Sequence, residues 1–347
     1  MRYLIDNNIT PCGWHEVETE EIENKLGVQV DKLYLAKSFP HSVEKAEMPH
    51  LRILSFSTIF YSPKGAPKPE KNPVVVISTV TNTGEMRQFV AKNTNDKPVL
   101  ESFIKYVRNF DPDIIVGYGT NRQNWPYLLG RSRKLGVNLF VDRANTEPHT
   151  SVYGHVSITG RANIDFFDFA DYLPEVKVKT LENVADFLGV MKIQERALIE
   201  DVDFPAHWES PEKRPLLLKF SKENTKCVLG IAEAMLNFAM QLSNLVGLPL
   251  DHVGAAAVGF RVEWFLIREA YKIDELVPKR VERPYFPYAG GVVLETKPGV
   301  HENIAVLDFK SMYPNIMITQ NVSPDTYVPP SEPEPPCGVN VAPRGKA

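Results

Sequence analysis

Leu51-Arg52-Ile53-Leu54-Ser55-Phe56-Ser57-Thr58-Ile59-Phe60 reads as a β-strand, because β-branched and aromatic residues dominate it. A Pro/Lys/Gly loop, Pro63 to Pro73, separates it from a second strand, Val74-Val75-Val76-Ile77-Ser78-Thr79-Val80. Asn82-Thr83-Gly84 is a hairpin turn signal into Met86-Arg87-Gln88-Phe89-Val90. Val99 to Phe110 has helical spacing, and Asp111-Pro112-Asp113 breaks it ahead of the apolar strand Ile114-Ile115-Val116-Gly117-Tyr118. Trp125 to Leu135 reads as a helix closed by Gly136, and Asn163 to Asp168 as a further strand. Strands first, then strands alternating with helices, predict an α/β fold with a mixed sheet flanked by helices.

Upstream, residues 1–50 are mixed, with an acidic run at Val17 to Ile22 and a possible strand over Val28 to Leu35. Downstream, Thr180 to Gly189 predicts a short amphipathic helix. Val228, Ile231, Met235, Phe238, Leu242 and Val246 recur every three or four residues, which predicts one long helix over Glu223 to Val246, stopped by Gly247 and Pro249. A second helix is expected from Asp251 to Tyr271. Ile304-Ala305-Val306-Leu307 is expected as a buried strand carrying Asp308 at its end, and Tyr327 to Ala347, rich in Pro and Glu, as loop or disorder.

The 347 residues suffice for two or three domains. A hydrophobic content of 43% and charged content of 24% are ordinary for globular protein, and no apolar run approaches the ~20 residues that span a bilayer. Cys12, Cys227 and Cys337 are far apart and odd in number, which fits neither a disulfide framework nor a zinc site. With no signal-peptide layout at Met1 to Asp6, a cytoplasmic home is expected. The net charge of −4 argues neither for nor against nucleic acid, since a whole-chain sum hides local patches.

Asp308-Phe309-Lys310-Ser311-Met312-Tyr313-Pro314 resembles the first palm motif of family-B DNA polymerases. Tyr288-Ala289-Gly290-Gly291 and Asn321-Val322-Ser323-Pro324-Asp325-Thr326 resemble flanking motifs of that family, in its order, and the archaeal members are the nearest likeness. The resemblance runs from Arg2 almost to the end and implies four parts. Residues 1–50 would be a lead-in from an N-terminal domain, 51–235 an RNase H-like 3′–5′ exonuclease-like domain, 236–284 a helical connector and 285–347 the start of the palm.

Within the exonuclease-like part, the resemblance places the family's metal-binding acids at Ser57, Ile59, Asn124 and Asn224, and its motif tyrosine at Phe220. Two-metal hydrolysis needs carboxylate oxygens, so an inactivated site without metal is expected. Asp165, Asp168 and Glu223 are read as surface acids or caps rather than a rebuilt metal site. At the palm, the resemblance implies Mg²⁺ held by Asp308 and the Phe309 backbone carbonyl, and Tyr313 stacked under the sugar of a dNTP to favour deoxynucleotides. Tyr288, Gly290 and Gly291 would touch the backbone of a DNA primer-template. Nothing after Thr326 resembles fingers, thumb or a second acid cluster, so the chain alone is not expected to polymerise. Two origins stay open, a fragment of a longer polymerase and one half of a split enzyme whose other half or other replication proteins are its partners. A non-catalytic DNA-binding or scaffold subunit, nucleoid-associated in the cytoplasm, is the alternative function.

Overall fold

A computed structural model describes residues 2–45, 47–151, 154–279, 291–323, 326–328 and 333. The chain divides into two compact units, Met1–Lys279 and Arg280–Ala347.

The first unit opens with a short helix, α1 (Arg2–Asp6), and two antiparallel strand pairs. In one, β1 (Trp14–Glu16) pairs with β4 (His41–Val43); in the other, β2 (Thr19–Ile22) pairs with β3 (Leu33–Ala36). The main sheet is built from β5 (Ile53–Phe60), β6 (Val74–Thr81), β7 (Met86–Val90), β8 (Ile114–Gly117) and β11 (Ala162–Asp165), in the order β11-β8-β5-β6-β7. β5, β6 and β7 run antiparallel, whereas β8 and β11 lie parallel to β5. Between β8 and β11 the chain forms a small hairpin, β9 (His149–Thr150) with β10 (Val156–Ser157).

Adjacent residues of a strand face opposite sides of its sheet, and β5 shows what covers each side. The Phe56 ring lies 5.7 Å from Phe103 of α2 (Lys97–Phe110) and 4.8 Å from Trp125 of α3 (Asn124–Leu135). Its neighbour Ser57 turns the other way, onto Ser221 and Thr225 of the long helix α6 (Arg214–Val246), which α4 (Leu181–Phe187) and α5 (Phe204–Glu209) flank. β5 is therefore buried on both faces, which explains its near-continuous apolar run. Phe56, Phe103 and Trp125 are all at most 1% exposed, and each such side chain contributes roughly 1.5–3 kcal/mol on burial. The one polar atom of the Trp125 ring is satisfied, since its N–H donates to Asn163 Oδ1 at 3.0 Å.

On the α6 side the packing is unusually polar. Ser55 donates to the Thr225 carbonyl at 2.7 Å, Ser78 meets Ser221 Oγ at 2.7 Å, and the Gln88 amide donates to Ser78 Oγ and to the Leu218 carbonyl, both at 2.9 Å. A buried pair ties α3 to the turn before α2: Arg131 Nε and Nη2 donate to Asp96 Oδ2 and Oδ1 at 2.7 and 3.0 Å.

Several sequence expectations change in detail. The long helix starts at Arg214, nine residues before Glu223, because Pro215 sits in its first turn, where no intrahelical N–H is needed. It ends as expected at Gly247 (φ +81), whose N–H caps the Ser243 carbonyl at 2.8 Å. It also runs unbroken past residue 235, so the boundary drawn at 235/236 falls inside a helix. The expected helix over Asp251 to Tyr271 is two, α7 (Leu250–Val253) and α8 (Val258–Lys272), interrupted at Gly254. A Cβ there would strike the Phe169 ring at 2.5 Å, so close packing of the backbone on that ring fixes the break.

In the second unit, the expected buried strand at Ile304 to Leu307 does not form. Val306 and Leu307 are 91% and 92% exposed, and among the described residues no strand pairs with this segment. Apolarity alone does not make a strand; the backbone groups need a partner edge. A helix, α9 (Met312–Gln320), follows at once, with Pro314 in its first turn. Its start is set by Ser311, held at φ +50, and Asn315 donates its side-chain amide to the Lys310 carbonyl at 2.7 Å.

Candidate nuclease cleft and palm motif

One cleft of ≈ 790 Å³ gathers five positions from three separate stretches, Ser57, Ile59, Asn124, Phe220 and Asn224. β5 supplies the first two, the first residue of α3 the third, and one turn of α6 the last two. The sheet topology brings them together because β5 is central and α6 crosses it.

Each of these side chains is engaged. Ser57 Oγ lies 3.0 Å from the Ser221 carbonyl and 2.9 Å from Thr225 Oγ1, so it belongs to the hydroxyl seam under α6. Ile59 is 2% exposed and part of the core. Asn124 Nδ2 donates to Thr58 Oγ1 at 2.7 Å. Phe220 packs against Phe204, with ring centroids 5.7 Å apart. The Asn224 amide oxygen accepts from Arg196, a buried guanidinium whose other nitrogen reaches Cys227 Sγ. A fixed positive charge beside Asn224 repels any cation brought to that corner.

Sequence reading missed the acid that does line this cleft, Asp201, on the segment entering α5. Burial pushes its carboxyl up from the ordinary range, and the nearby Glu182 adds to that. Its neighbours in sequence carry no motif, so only the fold reveals it. Among the described residues, no three His, Cys, Asp or Glu side chains converge in the cleft at metal-ligand spacing.

The other acids weighed from sequence have structural duties. Asp165 is a cap rather than a surface acid: it is 3% exposed, it caps the helical turn after β11, and its oxygens accept from the backbone N–H groups of Gly119, Asn121 and Phe167 at 2.6, 2.9 and 3.1 Å. Glu223 holds the Ala197 N–H at 2.7 Å. Asp168 is partly buried, and burial, then repulsion from Asp165, pushes its carboxyl up to about 6, with Arg122 opposing.

Within the second unit, Asp308 is exposed, on an extended segment one turn before α9, rather than at a strand end. Phe309 is 80% and Tyr313 71% exposed. Gly291 is exposed, while Tyr288 and Gly290 lie outside the described residues. The loop after α9 is tied by Thr326, which accepts from the Ser323 N–H at 2.9 Å.

Comparison with known proteins gives this arrangement its context. The family model for the DNA polymerase family B exonuclease domain matches residues 1–184, and that for DNA polymerase family B matches residues 248–337. DNA polymerase 2 of Aeropyrum pernix is 47% identical over 336 residues, covering 96% of this chain and 42% of the relative. A DNA polymerase of Archaeoglobus fulgidus is 37% identical over 328 residues, covering 94% and 40%. The solved family B DNA polymerase of the hyperthermophilic archaeon Pyrobaculum calidifontis superposes with a TM-score of 0.82 at 47% identity, covering 99% of this chain and 44% of that one. The chain thus spans less than half the length of these relatives. With a mixed sheet and crossing helix in the matched exonuclease region, and the Asp308 motif inside the matched polymerase region, the chain belongs to DNA polymerase family B.

Proposed function

We propose that this chain is the exonuclease-like and early palm portion of a DNA-directed DNA polymerase whose exonuclease cleft no longer hydrolyses DNA. Three antiparallel strands followed by two parallel ones, with helices on both faces, support an RNase H-like reading of residues 51–235, with 236–284 as connector and 285–347 as the start of the palm. The observation that carries the proposal is at the cleft. Where the family resemblance places metal-binding acids, Ser57 is bonded into the α6 seam and Asn224 is held by the buried Arg196. Two-metal hydrolysis needs several carboxylate oxygens around the ions, and Asp201 alone does not supply them.

At the palm motif, Asp308 offers an accessible hard oxygen and Phe309 a backbone carbonyl, a donor pair that suits Mg²⁺ shared with a substrate triphosphate. Bound there, Mg²⁺ supplies charge neutralisation on the phosphates. Asp308 would orient the triphosphate end of the dNTP, Tyr313 would lie beside the sugar, and Tyr288, Gly290 and Gly291 would approach the primer-template backbone. Among the described residues no helix is long and apolar enough to cross a membrane, and action on DNA implies the cytoplasm, at the nucleoid.

The test is incubation of the purified chain with 5′-labelled single-stranded DNA and Mg²⁺ or Mn²⁺. No shortening above a mock preparation is expected. Time-dependent shortening that is lost on changing Asp201→Asn would overturn the inactive-cleft reading and make Asp201 a ligand.

A further inference from the structure

Away from the cleft, three ligand-type side chains converge where the β9–β10 hairpin meets the corner after α6. His155 immediately precedes β10, and Asp251 and His252 lie on α7. His155 Nε2 is 3.6 Å from Asp251 Oδ2, and His252 Nε2 is 3.8 Å from Asp251 Oδ1. The two imidazole rings are 4.5 Å apart, and one ligand atom from each of the three residues lies within 4.8 Å of the others. The side chain of His155 is fully buried, and those of Asp251 and His252 are only 17% and 21% exposed.

We propose that His155, Asp251 and His252 form a binding site for a divalent first-row transition-metal ion of the zinc class. The donor set is two imidazole nitrogens and one carboxylate oxygen, the borderline chemistry that Zn²⁺ and its neighbours favour over Mg²⁺ or Ca²⁺. Ligand atoms around a tetrahedral Zn²⁺ at 2.0–2.1 Å are about 3.4 Å apart, and each histidine is close to that distance from one of the two Asp251 oxygens. The two histidines need a ring rotation to complete the site. A fourth position is left for water.

Hydroxyls flank both nitrogens of the His155 ring. Ser151 Oγ lies 2.6 Å from His155 Nδ1; a proton held on Nδ1 by that hydroxyl leaves the Nε2 lone pair on the Asp251 side, the outer-shell orientation that metal-ligating histidines use. The Ser157 hydroxyl lies 3.1 Å from Nε2, a contact the ion would replace. The bound ion would staple the β9–β10 hairpin to the corner between α6 and α7, two segments about 95 residues apart in sequence.

The test uses the full chain, stripped with chelator and titrated with Zn²⁺ by calorimetry, with Co²⁺ as a spectroscopic probe. Expected are saturable binding of one ion and tetrahedral-type visible bands with Co²⁺. Asp251→Asn and His252→Gln should each weaken binding by tenfold or more and remove the bands. Both positions are partly exposed, so these variants should fold, as circular dichroism would verify; His155→Ala, fully buried, is not relied on. The chain has eight histidines, so binding that persists unchanged in both variants would place the ion elsewhere and overturn the proposal. Absence of binding to the wild type would overturn it as well.

Discussion

The hydroxyls of Ser57 and Thr225 lie 2.9 Å apart, one on the central strand and one on the helix that crosses it. This contact puts Ser57, where the family resemblance places the first nuclease-motif acid, inside a strand–helix seam. A carboxylate at residue 57 would face the Ser221 carbonyl at the place where Ser57 now meets it at 3.0 Å. Ser57→Asp should therefore destabilise the fold, by about 1–3 kcal/mol for a poorly matched, partly buried acid, and should not restore cleavage. Ser57→Ala should cost only about 1 kcal/mol. Urea unfolding of the three proteins checks the order; equal stability of wild type and Ser57→Asp would show that the seam yields easily.

The Asp96–Arg131 pair is a buried ionic contact of the first unit. Asp96 is 1% exposed, receives two guanidinium bonds, and also accepts from the Val74 N–H at 2.9 Å, joining α3 to the start of β6. Arg131→Ala leaves that carboxylate buried and unpaired, so a loss of about 3–5 kcal/mol is expected. A paired change to apolar residues of similar volume should recover much of it. Thermal or denaturant unfolding reads both, and a loss under 1 kcal/mol for the single change would contradict the assignment.

Asp168 gives the stability a pH dependence of known sign. Its carboxyl, pushed up to about 6 by burial and by Asp165, holds its proton in the folded chain where the unfolded chain, near 3.8, has released it. Between about pH 4 and 6 the folded state binds more protons, so this residue's contribution falls as pH rises through that window. Above it the residue costs on the order of 3 kcal/mol. Asp168→Asn should flatten the slope between pH 4 and 6 and raise stability at pH 7. A variant whose stability profile parallels the wild type across that window would refute the attribution.

The main sheet was legible because its strands are short, β-rich and bounded by turn signals; Asn82-Thr83-Gly84 and Gly136 ended elements where expected, with Gly84 at φ +87 and Gly136 at φ +64. The long helix was legible from its apolar spacing but not its start, since Arg214 to Glu223 carry little periodic signal beyond Leu217 and Phe220. Ile304 to Leu307 misled, because an apolar run specifies burial only when a partner is present. Ser57, Asn124 and Asn224, singled out by motif order, do line one cleft. What each side chain bonds was invisible, as was Asp201, because those partners (Thr58, Arg196, Phe204, Ser221 and Thr225) are not motif residues and are brought close only by the fold. The His155, Asp251 and His252 cluster was unreadable for the same reason: no metal-ligand spacing in sequence links residue 155 to residue 251.

Asp308 should matter to chemistry and not to folding. Its side chain is exposed on an unpaired segment of the second unit, where single substitutions typically cost within about 0.5 kcal/mol. Asp308→Asn should therefore unfold at the wild-type midpoint. On the proposed palm reading, in a polymerase that contains this segment together with the regions its relatives carry beyond it, the same change would remove one carboxylate of a two-metal site, and primer extension should fall by several orders of magnitude. Tyr313→Ala in that enzyme opens the space beside the sugar, so ribonucleotide incorporation should rise while deoxynucleotide extension persists. Primer extension with both nucleotide types, on wild type and the two variants, reads all three outcomes at once. Extension by Asp308→Asn at the wild-type rate would remove Asp308 from the catalytic site, and the palm reading of residues 285–347 would then give way to a non-catalytic DNA-binding or scaffold role.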